Sequence, residues 1–208
     1  MRSLWLLNEL GVDFKVSLYR FDKTLRSPDY LSVNPAGRVP ALEIDGAVTW
    51  ETGAITEVLC ERFPEAGLGR MPGDPERAEW LIWVNFAETI SQHTAALTQQ
   101  HIALYEDRMR SPIVMQIEAK RIEKCYAALE RRLTGREYLL DTGFSAADIS
   151  VGQAVHMARH FARTESFPAL HVWMDRIAAR PGFVASLPPE GEGLYAQDFY
   201  PPWETPRD

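Results

Sequence analysis

Apolar positions along this chain follow two different periods. Val12, Phe14, Val16 and Leu18 recur at every second residue, which predicts a strand over 12–19. Ala41 to Ile44 and Ala47 to Trp50 are short apolar runs on either side of Asp45-Gly46, a strong short-range signal for a two-stranded hairpin. Ser3 to Leu10 reads as a short helix, with Gly11 placed for a left-handed cap. Pro28 to Ser32 fits one helical turn stopped before Pro35, because a residue preceding proline is pushed out of the helical region. A further helix is expected from Thr52 to about Arg62. The predicted order is helix, strand, helix, hairpin, helix.

Phe63 to Gly73 holds two prolines and three glycines and reads as a linker. Beyond it the period becomes helical. Pro75 after Asp74 suits a first helical position, and Trp83, Phe86, Ala87, Ile90, Thr94 and Leu97 mark one face. Met115, Ala119, Ile122, Tyr126, Leu129 and Leu133 form the stripe of a second long helix. A third helix starts at Ser145, and a fourth near Pro168 carries Leu170, Trp173, Met174 and Ile177 inward and ends at Pro181-Gly182. The tail from Pro188 is expected to be non-helical and to lie along the surface. The organisation is a small α/β unit over 1–62, a linker over 63–73, an all-helical bundle over 74–187 and an irregular tail over 188–208.

Composition narrows the function classes. With 22 basic and 29 acidic residues the formal net charge is −7, which disfavours nucleic acid and anionic membrane surfaces as partners. No apolar run approaches the roughly 18 residues of a membrane helix, and Met1 to Leu7 is too short for a secretory signal. The two cysteines, Cys60 and Cys125, make neither a disulfide framework nor a zinc site on their own. These features fit a reduced, cytoplasmic protein.

Three segments carry candidate chemistry. In Asn34-Pro35-Ala36-Gly37-Arg38-Val39-Pro40-Ala41-Leu42, proline opens a strand, and Val39-Pro40 is a candidate cis peptide. Such a bond would leave the Val39 N–H and C=O free for an extended, peptide-like ligand, with Arg38 placed for its carboxylate. The same residues also fit an ordinary proline-rich turn with a solvated arginine. In Trp50-Glu51-Thr52-Gly53-Ala54-Ile55, Thr52 can cap the next helix, whose free N–H groups suit a carboxylate, while Glu51 offers a partner to an ammonium group. That pair would recognise an α-amino acid end, although a plain helix cap explains the segment equally well. Phe144-Ser145-Ala146-Ala147-Asp148-Ile149 is a capping box with staple residues, a folding device rather than a catalytic serine.

Other candidates carry less. His156 and His160 stand four apart on a helix without a third metal ligand, and His93 and His101 read as polar-face residues. There is no phosphate loop, nucleophile elbow or Cys-x-x-Cys.

Taken in order, these segments resemble the cytosolic glutathione transferase superfamily, in its bacterial-type form. The resemblance runs from the first helix, Arg2 to Gly11, through Asn34–Leu42, Glu51–Ile55 and Ser145–Ile149, to Ala179-Arg180-Pro181-Gly182-Phe183. It implies a thioredoxin-like N-terminal domain, an all-helical C-terminal domain, glutathione as co-substrate with no other cofactor or metal, a small electrophilic or peroxide second substrate, a role in detoxification and a homodimer. By the same resemblance Val39, beside Pro40, would hold the cysteinyl backbone, Arg38 the glycyl carboxylate, and Glu51 with Thr52 the γ-glutamyl end. The family places its thiol-activating Tyr, Ser or Cys on a strand and loop before the first helix, whereas Met1 here sits at that helix's start. Within the chain Ser3 is the candidate. The reading also expects a strand of about five residues and a loop upstream of Met1, without which 12–19 has no parallel neighbour. The alternative function is a non-catalytic, transferase-like binding or protein-interaction module.

Overall fold

The computed structural model describes residues 1–195 and 197–200. Helix α1, Arg2–Leu10, ends at Gly11 with φ 66°, a conformation that glycine adopts without a Cβ clash. Helix α2, Pro28–Val33, is capped by the Ser27 side chain, which accepts from the Tyr30 N–H. Strands β1, Ala41–Ile44, and β2, Ala47–Trp50, pair antiparallel with Ala41 opposite Trp50 and Ile44 opposite Ala47. Asp45 and Gly46 both have positive φ, 52° and 80°, as the tight hairpin requires. Helix α3, Thr52–Arg62, follows directly.

The strand expected over 12–19 does not form. That segment runs without regular structure and, beyond the partly buried Val12, exposed, with Leu18 almost wholly in solvent. A strand is stabilised by its neighbour, and among the described residues the sheet consists of β1 and β2 alone. Alternating residues set which face a strand would bury, but they do not supply a partner.

The helical part comprises α4 (Arg77–Thr98), α5 (Pro112–Leu133), α6 (Ala146–Ala158), α7 (Pro168–Ala178) and α8 (Pro181–Ser186). Helix α4 begins two residues later than Pro75, because Asp74 accepts from the Glu76 N–H and makes a turn first. Its buried row is Trp80, Val84, Ala87, Ile90, Thr94 and Leu97, and Trp83 and Phe86 pack at the margin of the core. The α5 and α7 stripes are buried as patterned. The α7 run ends at Ala178, just before Pro181 as expected, and Pro181 then opens a further short helix, α8, since a proline is well tolerated in the first turn.

The core runs between α4 and α6, the most closely associated helices, and α1 packs on α3, α6 and α8. The α6 capping box is present, with Asp148 buried beneath Trp173. Gly152 lets α1 approach closely: a Cβ there would stand 3.1 Å from the Trp5 ring and 2.5 Å from Ile177. Glu9 and Arg180 form a two-pronged ion pair, 2.9 and 2.7 Å, that ties α1 to the start of α8. The tail is non-helical where described, yet it does more than lie along the surface. Tyr195 and Phe199 pack on Phe161, and His101 joins this aromatic group instead of facing solvent. The expectation for 201–208 lies outside the described residues.

Candidate functional site

The segment before β1 is built by two buried side chains. Tyr30 Oη and Asn34 Nδ2 both donate to the Arg38 carbonyl, each at 2.7 Å. Asn34 Oδ1 also accepts from the Ala36 N–H at 2.9 Å, so this asparagine shapes the turn through Gly37. Gly37 has φ 62°, and a Cβ there would stand 2.8 Å from the Leu25 carbonyl oxygen. The chain leaves this turn with Arg38 and Val39 exposed and the Val39–Pro40 peptide cis. Among the described residues neither the Val39 N–H nor its C=O has a hydrogen-bond partner.

On the far side of the hairpin, Glu51 takes φ 75° and ψ 122° and turns the chain into α3. Positive φ is uncommon for a residue with a Cβ and is held here by the flanking strand and helix. Glu51, and not Thr52, occupies the cap position, and no side chain caps the helix. Thr52 is instead the first helical residue, and its hydroxyl is drawn sideways by Arg2. A Cβ on Gly53 would meet no atom within 4 Å, so the first turn of α3 opens onto free space. An uncapped N-terminus of this kind keeps N–H donors and the positive end of the helix dipole available to an anion.

Behind that opening lies a group the sequence did not single out. Arg2, only 6% exposed, donates to Gln153 Oε1 at 3.2 Å, Thr52 Oγ1 at 2.9 Å, Ser91 Oγ at 3.2 Å and the Glu88 carboxylate. Thr52 Oγ1 in turn donates to Glu88 Oε1 at 3.1 Å. One guanidinium thus joins α1, α3, α4 and α6. A signal for it exists in the sequence: a cation in the first turn of a helix opposes the helix dipole, and such a position calls for a compensating acid. The partner, 86 positions away on α4, is not legible.

Ser3 stands apart from this arrangement. Its hydroxyl is enclosed, has no hydrogen-bond partner among the described residues, and makes no bond to Val39, Glu51 or Thr52. The structure therefore brings two openings together, one at Val39 and one at Thr52. They flank β1 and β2, and the basic Arg38 lies at one end and the acidic Glu51 and Glu88 at the other. His93 bonds Glu118 at 2.6 Å, and among the described residues no group of three or more His, Cys, Asp or Glu could hold a metal ion.

A small α/β unit bearing a cis proline before its hairpin, joined to a helical bundle, defines a thioredoxin-like domain with a helical partner. The family model for the glutathione S-transferase N-terminal domain matches residues 1–62, and that for the C-terminal domain matches 94–181. Glutathione S-transferase 4 of Zea mays is 32% identical over 202 residues, covering 92% of this chain and 89% of its own length. Protein LigF of Sphingobium sp. is 30% identical over 223 residues, covering 87% and 86%. Among solved structures, the glutathione transferase URE2P8 of Phanerochaete chrysosporium, crystallised with oxidised glutathione, superposes with a TM-score of 0.79 at 25% identity, covering 88% of this chain and 86% of that one. The chain belongs to the glutathione S-transferase family.

Proposed function

We propose that this chain binds glutathione across the β1–β2 hairpin and promotes attack of its thiolate on a small electrophile or a peroxide. The observation that carries this reading is the pairing of an unbonded Val39 backbone with the open, uncapped start of α3 at Thr52. In this pose Val39 pairs with the cysteinyl main chain in the manner of an added strand, and Pro40 fixes the segment that presents it. Arg38 meets the glycyl carboxylate, and Thr52 with Glu51 frames the γ-glutamyl end. Thr52 supplies a hydroxyl and helix N–H groups to the carboxylate.

Chemistry then requires the thiol to be ionised and aimed. A free thiol loses its proton near pH 8.5, and its thiolate is the nucleophile. In conjugation a carbon–sulfur bond forms and the leaving group departs with its electron pair, while the thiol proton passes to solvent. Holding both ends of the tripeptide converts this encounter into an oriented one. Ser3 is the candidate within the chain for contact with the sulfur, and it requires a rearrangement that opens its enclosed hydroxyl.

The same reading divides the chain into a glutathione-binding domain over 1–62, a linker over 63–73, a helical domain over 74–187 and a tail. It also makes the protein a cytoplasmic homodimer. No described helix is long and apolar enough to cross a membrane. Ile82 on α4 and Ile113 and Ile117 on α5 are exposed apolar residues on the two helices that this reading places near the two-fold axis.

Calorimetric titration with glutathione tests the site. Thr52→Ala is expected to weaken binding by about 1.5–3 kcal/mol, the range for a hydrogen bond to a charged group, and Thr52→Ser to restore it. Unchanged affinity in Thr52→Ala refutes the placement. Turnover with an aryl halide and with a hydroperoxide separates an enzyme from a silent binder.

A further inference from the structure

A cleft of about 210 Å³ lies on the helical domain between α6, α7 and α8. None of its lining residues belongs to the hairpin site. Pockets that take drug-sized molecules hold about 300–1,000 Å³, so this cleft suits a single ring or a short chain. Its two ends differ in chemistry. Arg159, Thr164 and His171 line it where α6 passes into α7, whereas Phe183 and Leu187 line it on and just after α8. We propose that this cleft is a second ligand site, for a small monocarboxylate with an apolar body, with the carboxylate on Arg159 and the body against Phe183.

The polar wall is built but unengaged. The side chains of Arg159, Thr164, His171 and Asp175 make no hydrogen bond or ion pair among the described residues. His156 adds a donor from within. Its Nδ1 is sealed off without a hydrogen-bond partner, whereas Nε2 remains accessible. Burial, with Arg159 and His160 nearby, lowers this imidazole to about 4, so the ring is neutral near pH 7. A sealed, unpaired N–H would carry its full desolvation cost, so the ring proton resides on Nε2, where a ligand can accept it. The apolar wall is fixed in advance: Phe183 packs edge-on against His156 at 5.3 Å and against Trp5 at 4.9 Å between ring centres. A wall that needs no ordering makes binding less costly.

Charge selects the class of ligand. Arg159 presents a fork of N–H donors that matches a carboxylate. A neutral molecule leaves that guanidinium without a charged partner. Asp175 stands one turn beyond His171 on the same helix and has no cation bonded to it. A second negative charge on the ligand would meet this carboxylate, so the cleft discriminates against dianions.

NMR titration of the full chain with benzoate, in the absence and presence of glutathione, tests the site. Benzoate is expected to bind saturably, with the same affinity in both conditions, and to shift the ring resonances of His156 and His171 but not those of His93. Arg159→Gln is expected to weaken benzoate by about tenfold or more, the usual value of a charged hydrogen bond. Because the Arg159 side chain is exposed and unbonded, the urea midpoint of this variant should equal that of wild type. Benzyl alcohol, which keeps the ring without the charge, and phthalate, a dianion on the same ring, are each expected to bind more weakly than benzoate. Asp175→Asn should narrow the gap between benzoate and phthalate. The proposal is overturned if benzoate gives no saturable shift at millimolar concentration, if glutathione displaces it, or if a folded Arg159→Gln retains full affinity. Benzyl alcohol or phthalate binding as tightly as benzoate, or a gap unmoved by Asp175→Asn, overturns the assigned ligand class.

Discussion

Removing the carboxylate of Asp148 is expected to cost this protein a large part of its stability. Asp148 is fully buried and accepts from the Leu139 N–H at 2.9 Å, Trp173 Nε1 at 2.9 Å, the Ser145 N–H at 3.0 Å and Ser145 Oγ at 3.4 Å. Asp148→Ala strands three buried N–H donors, and each carries a penalty of about 1–3 kcal/mol. Part of this is offset, because burial pushes the Asp148 carboxyl above its ordinary value and that desolvation cost disappears with the charge. The expected net loss is about 3–5 kcal/mol, against a total stability on the order of 5–15 kcal/mol. Asp148→Asn keeps one oxygen but places an NH2 against a donor, and should lose about 1–3 kcal/mol. Urea unfolding at fixed protein concentration, followed by tryptophan fluorescence, should show the Ala midpoint lowered by about 1–2 M. The consequence reaches the site, because α6 carries Gln153, which holds Arg2. A midpoint within about 0.3 M of wild type would refute the reasoning, since buried donors would then have found other partners.

Three further outcomes are expected. Burial, with Arg159 and His160 nearby, depresses the His156 imidazole from 6.5 to about 4. Between those values the unfolded chain binds the extra proton, so stability should fall as pH drops through this window and level off below it. At about 1.4 kcal/mol per unit the loss is ~3 kcal/mol; His156→Gln should flatten this slope in pH-dependent unfolding, and an unaltered slope counts against it. Gly37→Ala forces a Cβ to 2.8 Å from the Leu25 carbonyl at a positive φ, and should cost more than about 1 kcal/mol in thermal unfolding and weaken glutathione retention. Glu9→Gln breaks the pair with Arg180 that joins α1 to α8, where side-chain exposures are 9% and 31%. A stability loss of about 1–3 kcal/mol is expected, and a value near zero would show the pair to be dispensable.

Local patterns accounted for much of the architecture. The hairpin was legible because Asp45-Gly46 carries its own backbone preference, and the capping box because Ser145 and Asp148 meet within one turn. The α5 and α7 stripes were legible because a helix buries its faces by its own period. The segments around Val39 and Thr52 were visible as candidate binding elements for the same reason, since a cis proline and a helix start are short-range features. Tertiary structure alone decided the rest. Whether 12–19 pairs depends on a neighbouring strand, and alternation within the segment holds no information about one. That His101 enters an aromatic group depends on residues some sixty and a hundred positions further along. Arg2, Thr52 and Glu88 form one unit because three helices converge. Hydrogen bonds act over about 3 Å of space at any distance along the chain, so the charge pattern around Arg2, Thr52 and Glu88 took shape only when the chain folded.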